Sequence, residues 1–316
     1  GEIDFDGKKL MGNSGAKEFA GLGNMSDAQL RTVGGRKCGV IDAINDHDAT
    51  VIFMHGLGDT YSGWEDQVRE IASGFPSVRW ILPLAPIMKV GLNGGQPSTA
   101  WYDISMEAIP FIMGGKLDIG KPLPAPGIED SRGEILAVIQ EEINAGIDPA
   151  RIVVGGFSMG AATALYTGLQ LPVQIGGVLA LSGYIPNHHE FCVTDVCKST
   201  PVFQGHGFSD QVLPFAIGQL SSQLLKSHFG ATNVEFKSYP MPHSTCPQEI
   251  SDVTNWLTGI LKSGRASGDG EKQSIAKKVN VRANAPVGRR QCLLIPLYTK
   301  VRVFGLQSSS SKELNG

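Results

Sequence analysis

Short apolar runs rich in β-branched residues alternate along this chain with longer stretches of helical periodicity, and that alternation limits the fold more than any other feature. The runs KCGVIDA (37–43), TVIFM (50–54), VRWILP (78–83), RIVVGG (151–156), GGVLALS (176–182), PVFQGH (201–206) and NVEFKSY (233–239) read as strands. Between them lie helical patterns at 62–73, 128–145, 159–170, 215–229 and 247–262. In the second of these, Ile135, Val138, Ile139, Glu142 and Ile143 fall on one mostly apolar face. The order predicts an α/β fold: a mostly parallel central sheet flanked by helices on both faces. A hydrophobic content of 41% in 316 residues suffices for its core. The long stretch 84–126, rich in glycine and proline, reads as irregular.

Charge divides the chain. Residues 261–316 carry 11 Lys/Arg against 3 Asp/Glu, leaving 16 and 27 before them, so a body of −11 precedes a tail of +8. A body this acidic speaks against nucleic acid, which requires a clustered basic face. We read 36–263 as one domain, 1–35 as a poorly ordered extension and 264–316 as a disordered basic tail, with weak contact to anionic membrane as its alternative role. Cysteines 38, 192, 197, 246 and 292 show neither a C-x-x-C pair nor zinc spacing. A reduced, cytoplasmic setting is expected, with a local Cys192–Cys197 disulfide left open. No apolar run reaches membrane-spanning length.

Strand RIVVGG runs into the pattern G-x-S-x-G at Gly156, Ser158 and Gly160. Chance would produce that pattern roughly 0.4 times in such a chain, so its place at a strand–helix junction carries the meaning. The flanking glycines allow a sharp turn that lifts the Ser158 hydroxyl off the sheet. A serine hydroxyl needs a base, and the base needs an orienting acid. Asp210 follows strand PVFQGH and His243 follows NVEFKSY, in the order Ser, acid, His. Asp195 and Glu190 remain alternative acids. His206 is expected to shape the turn before Asp210, while His188, His189 and His228 read as solvated. The first helical N–H, at Met159, and that of Leu57, after strand TVIFM, are the candidate oxyanion donors, with His55 as a positioning residue. Neither a metal nor an organic cofactor is called for.

Together FMHGLGDTYSGW, GGFSMGAATALY, GHGFSDQVLPF and PMPHSTCPQEI resemble the acyl-protein thioesterase and lysophospholipase family of α/β-hydrolases, over about 36–263. The resemblance puts Ser158, Asp210 and His243 on the family triad, and Leu57 and Met159 on its oxyanion donors. Through STAWYDIS it puts Trp101 on the substrate side. Family members commonly carry Gln where this chain has Met159, and Gly where it has Pro242. What the resemblance implies is hydrolysis of acyl thioesters on lipidated proteins, with lysophospholipids or small carboxyl esters as the alternative substrates. A non-catalytic lipid- or protein-binding relative is the alternative of another class. Within 84–126, Ile87, Met88, Val90, Leu92, Ile109, Phe111, Ile112 and Met113 are candidates for an acyl groove, Leu92 and Phe111 foremost; ordinary packing against the core is the alternative.

Overall fold

The computed structural model describes residues 27–115, 117, 120–263 and 280–281. Its strands are β1 (Gln29–Val33), β2 (Arg36–Ile41), β3 (Ala49–Met54), β4 (Val78–Pro83), β5 (Ile87–Val90), β6 (Gln96–Thr99), β7 (Ile152–Phe157), β8 (Gly177–Leu181), β9 (Val202–Gly207) and β10 (Val234–Tyr239). Its α-helices are α1 (Glu65–Ala72), α2 (Ile109–Met113), α3 (Ile128–Asn144), α4 (Met159–Gly168), α5 (Phe215–Ser227) and α6 (Pro247–Ser263). Eight strands form one sheet in the order β1-β2-β4-β3-β7-β8-β9-β10, parallel from β4 to β10 and antiparallel across β1–β2 and β2–β4. This is the mostly parallel, helix-flanked sheet that the alternation predicts, and the α/β-hydrolase architecture that the resemblance implies.

Both faces of the sheet are covered, and the strands show it in their side-chain alternation. Ile52 and Met54 of β3, Ile152 and Val154 of β7, and Val178 and Ala180 of β8 enter a core shared with α3, α4 and α5. Their neighbours Val51, Phe53, Val153, Leu179 and Leu181 enter a second core with α1 and α6. Burial is therefore continuous along the central strands.

Four elements depart from the sequence reading. The extension expected at 1–35 includes β1, which pairs with β2 from Gln29↔Val40 to Val33↔Arg36. Its residues are mostly exposed, so the strand lacks the apolar run that marks the others. The stretch 84–126 contains the β5–β6 hairpin and the short α2. Residues 1–26 and most of 264–316 lie outside the described residues, and with them the basic tail. Val281, inside that tail, is buried, and its N–H donates to Gln140 Oε1.

Glu249, in the first turn of α6, is fully buried against β9. A Cβ on Gly205 would lie 2.2 Å from its carboxylate, so a larger residue there would make the Glu249 side chain shift. Both Glu249 oxygens lack a hydrogen-bond partner among the described residues. Burial, then the charge of Asp252, pushes the acid up to about 8.

Candidate active site

β7 carries the chain into Ser158, which adopts φ 55° and ψ −117° before α4 begins. Non-glycine residues rarely accept this backbone, and here neighbouring bonds impose it. The Ser158 N–H donates to Leu181 O on β8 at 2.8 Å, and the Ala162 N–H donates to Ser158 O at 3.0 Å. The turn also needs room for α4 to approach β3. A Cβ on Gly160 would stand 2.2 Å from the Met54 carbonyl oxygen and 2.6 Å from that of His55. The G-x-S-x-G spacing is thus a requirement of backbone contact.

β9 lies beside β8, β7's neighbour, and β10 beside β9, and the loops that follow them bring the other two residues to Ser158. His243 Nε2 lies 2.9 Å from Ser158 Oγ, and His243 Nδ1 lies 2.6 Å from Asp210 Oδ2. A carboxylate only accepts, so Nδ1 bears the proton and Nε2 is left to accept from the serine hydroxyl. Asp210 Oδ1 accepts from the Val212 and Leu213 N–H groups at 2.9 and 2.8 Å. Burial acts to raise this carboxyl, but the His243 hydrogen bond and charge, with the Leu213 N–H, outweigh it and hold Asp210 below its usual range. The Phe157 ring packs 4.7 Å from His243, backed by Trp64.

The other acids and histidines fall elsewhere. Asp195 is exposed and pairs with Lys198, while Glu190 accepts from Asn187. His206 is fully buried and donates through Nε2 to Leu213 O at 2.9 Å, shaping the turn that carries Asp210. Burial lowers its pKa, so its 3.5 Å approach to Asp210 is that of a neutral ring. His188 is buried, unlike the solvated residue its polar loop suggests. Cys192 and Cys197 form no disulfide, and Cys197 directs its Sγ toward Leu171 O.

Leu57 follows β3, and its N–H has no partner among the described residues. The Met159 N–H opens α4 and has no intrahelical acceptor. His55 orients the first of these. Its Nε2 accepts from the Ala85 N–H at 3.1 Å, so Nδ1 is protonated and donates to Gly56 O at 2.7 Å. That carbonyl shares a rigid peptide plane with the Leu57 N–H. Burial lowers the His55 pKa and keeps the ring neutral.

A cleft of about 440 Å³ opens over Ser158, Met159, Leu57 and His243. Its walls include Leu92, Ile104, Ile109, Ile112, Met113, Val212 and Leu213, with Trp64, Phe157, Tyr102 and Tyr184. Of the candidates in 84–126, Leu92, Ile109, Ile112 and Met113 line it; Ile87, Met88, Val90 and Phe111 do not. Phe111 is a correction: on α2 the cleft takes positions i, i+3 and i+4 from Ile109, and Phe111 points off that face toward the core and Lys121. Trp101 is a second correction. It is fully buried and donates through Nε1 to His55 O at 2.8 Å, so it stands behind the wall. Sequence reasoning missed Tyr102 and Tyr184, whose hydroxyls meet at 3.0 Å across the cleft wall. Their only sequence signal was proximity to Trp101 and to the end of β8.

Among the described residues no group of three His, Cys, Asp or Glu side chains is placed to hold a metal ion, and no helix is long and apolar enough to cross a membrane.

A family model for phospholipase/carboxylesterase matches residues 37–261. The chain belongs to the phospholipase/carboxylesterase family. Acyl-protein thioesterase 1 of Cryptococcus neoformans var. neoformans is 38% identical over 230 residues, covering 68% of this chain and 94% of that protein. Acyl-protein thioesterase 1 of Saccharomyces cerevisiae is 39% identical over 222 residues, covering 68% and 93%. Among solved structures, Zea mays acyl-protein thioesterase 2 is similar at 31% identity and TM-score 0.56, covering 71% of this chain and 98% of that one. Arabidopsis thaliana SOBER1 is similar at 27% identity and TM-score 0.57, covering 67% and 99%. As a phospholipase/carboxylesterase family member, the protein is a serine hydrolase acting on carboxylic esters or thioesters.

Proposed function

We propose that this chain cleaves acyl thioesters, those of acylated proteins foremost, using Ser158 as nucleophile, His243 as general base and Asp210 as the acid that orients it. The observation that carries the reading is the unbroken hydrogen-bonded line Asp210–His243–Ser158 at the floor of an apolar cleft. His243 Nε2 takes the hydroxyl proton as Ser158 Oγ attacks the acyl carbonyl. The carbonyl oxygen becomes anionic, and the N–H groups of Leu57 and Met159 receive it. His243 then protonates the leaving thiol or alcohol, and water, activated by the same ring, releases the acid from the acyl-enzyme. Asp210 holds the Nδ1–H tautomer and balances the imidazolium charge. Leu92, Ile109, Ile112 and Met113 give the acyl chain an apolar wall, and the cleft volume falls in the range of small-ligand sites. The thioesterase names of the relatives at 38–39% identity favour thioesters over lysophospholipids.

Fluorophosphonate labelling of wild type, Ser158→Ala and His243→Ala tests the machinery. Stoichiometric labelling lost in both variants is expected; an unlabelled, folded wild type would overturn the reading. A chain-length series of matched thioesters and oxyesters then ranks the substrates, with higher kcat/KM for long-chain thioesters expected and a preference for lysophospholipid arguing against the thioesterase assignment.

A further inference from the structure

We infer that Trp101 is a positioning residue that fixes the separation of the two oxyanion donors, the N–H groups of Leu57 and Met159, without touching substrate. The inference rests on the hydrolase reading above and adds to it a side chain buried behind the cleft. Trp101 bonds to both walls of the oxyanion site. Its indole N–H donates to the His55 carbonyl at 2.8 Å, and its backbone N–H donates to Met159 Sδ at 3.3 Å. Its own carbonyl accepts from Ser131 Oγ of α3, which anchors the residue from outside the site.

The consequence follows from peptide geometry. The His55 carbonyl that Trp101 holds lies in the plane His55–Gly56, and the Gly56 carbonyl held by the His55 ring lies in the plane Gly56–Leu57. Two consecutive planes are therefore fixed by buried side chains, and the second carries the Leu57 N–H. The indole and imidazole rings also pack 5.4 Å apart. On the other wall, the sulfur that Trp101 engages belongs to the residue whose N–H opens α4. Core packing alone accounts for a buried indole that finds one acceptor. It does not call for the same residue to bridge the oxyanion loop and the residue after the nucleophile.

Three variants separate positioning from packing. Trp101→Phe keeps an aromatic ring against His55 and removes the indole donor. Met159→Leu removes the acceptor and strands the buried Trp101 N–H, whereas Met159→Gln restores an acceptor in the form of an amide oxygen. All three keep the backbone N–H at position 159. The measurements are active-site titration with a fluorophosphonate, kcat and KM for a short-chain ester, and inhibition by a trifluoromethyl ketone, whose tetrahedral adduct places an oxyanion between the two donors.

Outright loss of an oxyanion donor costs about 10²–10³ in kcat, so a displaced donor should cost about tenfold. Expected for Trp101→Phe and Met159→Leu is a fall of about tenfold in kcat per titrated site, KM unchanged, ketone binding weakened by a similar factor, and recovery of most of kcat in Met159→Gln. A lowered thermal midpoint with unchanged kcat per site and unchanged ketone binding would overturn the inference. If Trp101→Phe does not fold, the Met159 pair decides: Leu and Gln variants equal to wild type would overturn it equally. Wild type that fails to titrate removes the hydrolase reading and this inference with it, whereas titratable wild type with unaffected variants removes the inference alone.

Discussion

At the residue scale, the site depends on groups whose replacements have separable effects. Asp210 uses one oxygen for His243 and the other for two loop N–H groups. Asp210→Asn can keep the loop bonds but presents an amide to Nδ1, which favours the wrong imidazole tautomer; kcat should fall by about 10³–10⁴ with the fold intact. Steady-state kinetics beside a thermal melt checks this, and a loss under tenfold would sink it. Gly160→Ala puts a Cβ against two backbone carbonyls that cannot move aside. Overpacking of this kind costs about 1–3 kcal/mol, and labelling of Ser158 should slow even where the protein stays folded. Glu249 bears on stability rather than chemistry. Its ordinary value is 4.5 and burial lifts it to about 8, so the unfolded chain releases the proton first as pH rises. Stability from this group therefore falls between those values, by on the order of 2–4 kcal/mol, and is lowest above the upper one. His55 and His206 act in the opposite direction: depressed below 6.5, they destabilise the fold as pH drops through that value. Glu249→Gln should remove its share of the slope, read from urea denaturation at pH 5 and pH 8; an unchanged slope would show that the carboxyl is ionised throughout.

At the element scale, α2 and the segment before β6 decide which acyl chains fit. Met113 and Leu92 face the cleft and are partly exposed at its mouth, whereas Phe111 faces the core. Met113→Asp or Leu92→Asp should lower turnover of long-chain substrates about tenfold or more relative to acetyl esters, since a charge must be desolvated beside the chain. Phe111→Leu should leave that ratio unchanged, and a chain-length series on the three proteins distinguishes them. This is also where the sequence was least legible. The central strands and five helices announced themselves through β-branched runs and apolar faces, and the convergence of Ser158, Asp210 and His243 through three strand-end loops. β1 did not, because QLRTV is an exposed edge strand with no apolar run. Phe111 and Ile112 could not be told apart, because five residues of α2 are too few to display a helical phase. Trp101 was placed on the wrong side of the wall for a related reason: which face an aromatic ring takes depends on partners such as His55 and Ser131, far away in the chain.

At the scale of the whole molecule, the sheet order sets three parallel strands, β7, β9 and β10, to bring Ser158, Asp210 and His243 together at their carboxyl ends, with β8 as the spacer. That order was legible as a class, because successive strand–helix units can pack on a sheet in few ways. The antiparallel edge was not. β10 is an edge strand and, among the described residues, the last strand in chain order, so the arrangement also bears on the order in which the site can form. The Ser158 turn depends on β7, α4 and the Leu181 carbonyl of β8, whereas His243 comes only after β10, which pairs with β9. A chain stopped at residue 232 lacks both β10 and His243 and, on the proposed mechanism, should fail to react with a fluorophosphonate. On that mechanism, labelling of Ser158 reports that the β9–β10 edge of the sheet is in place.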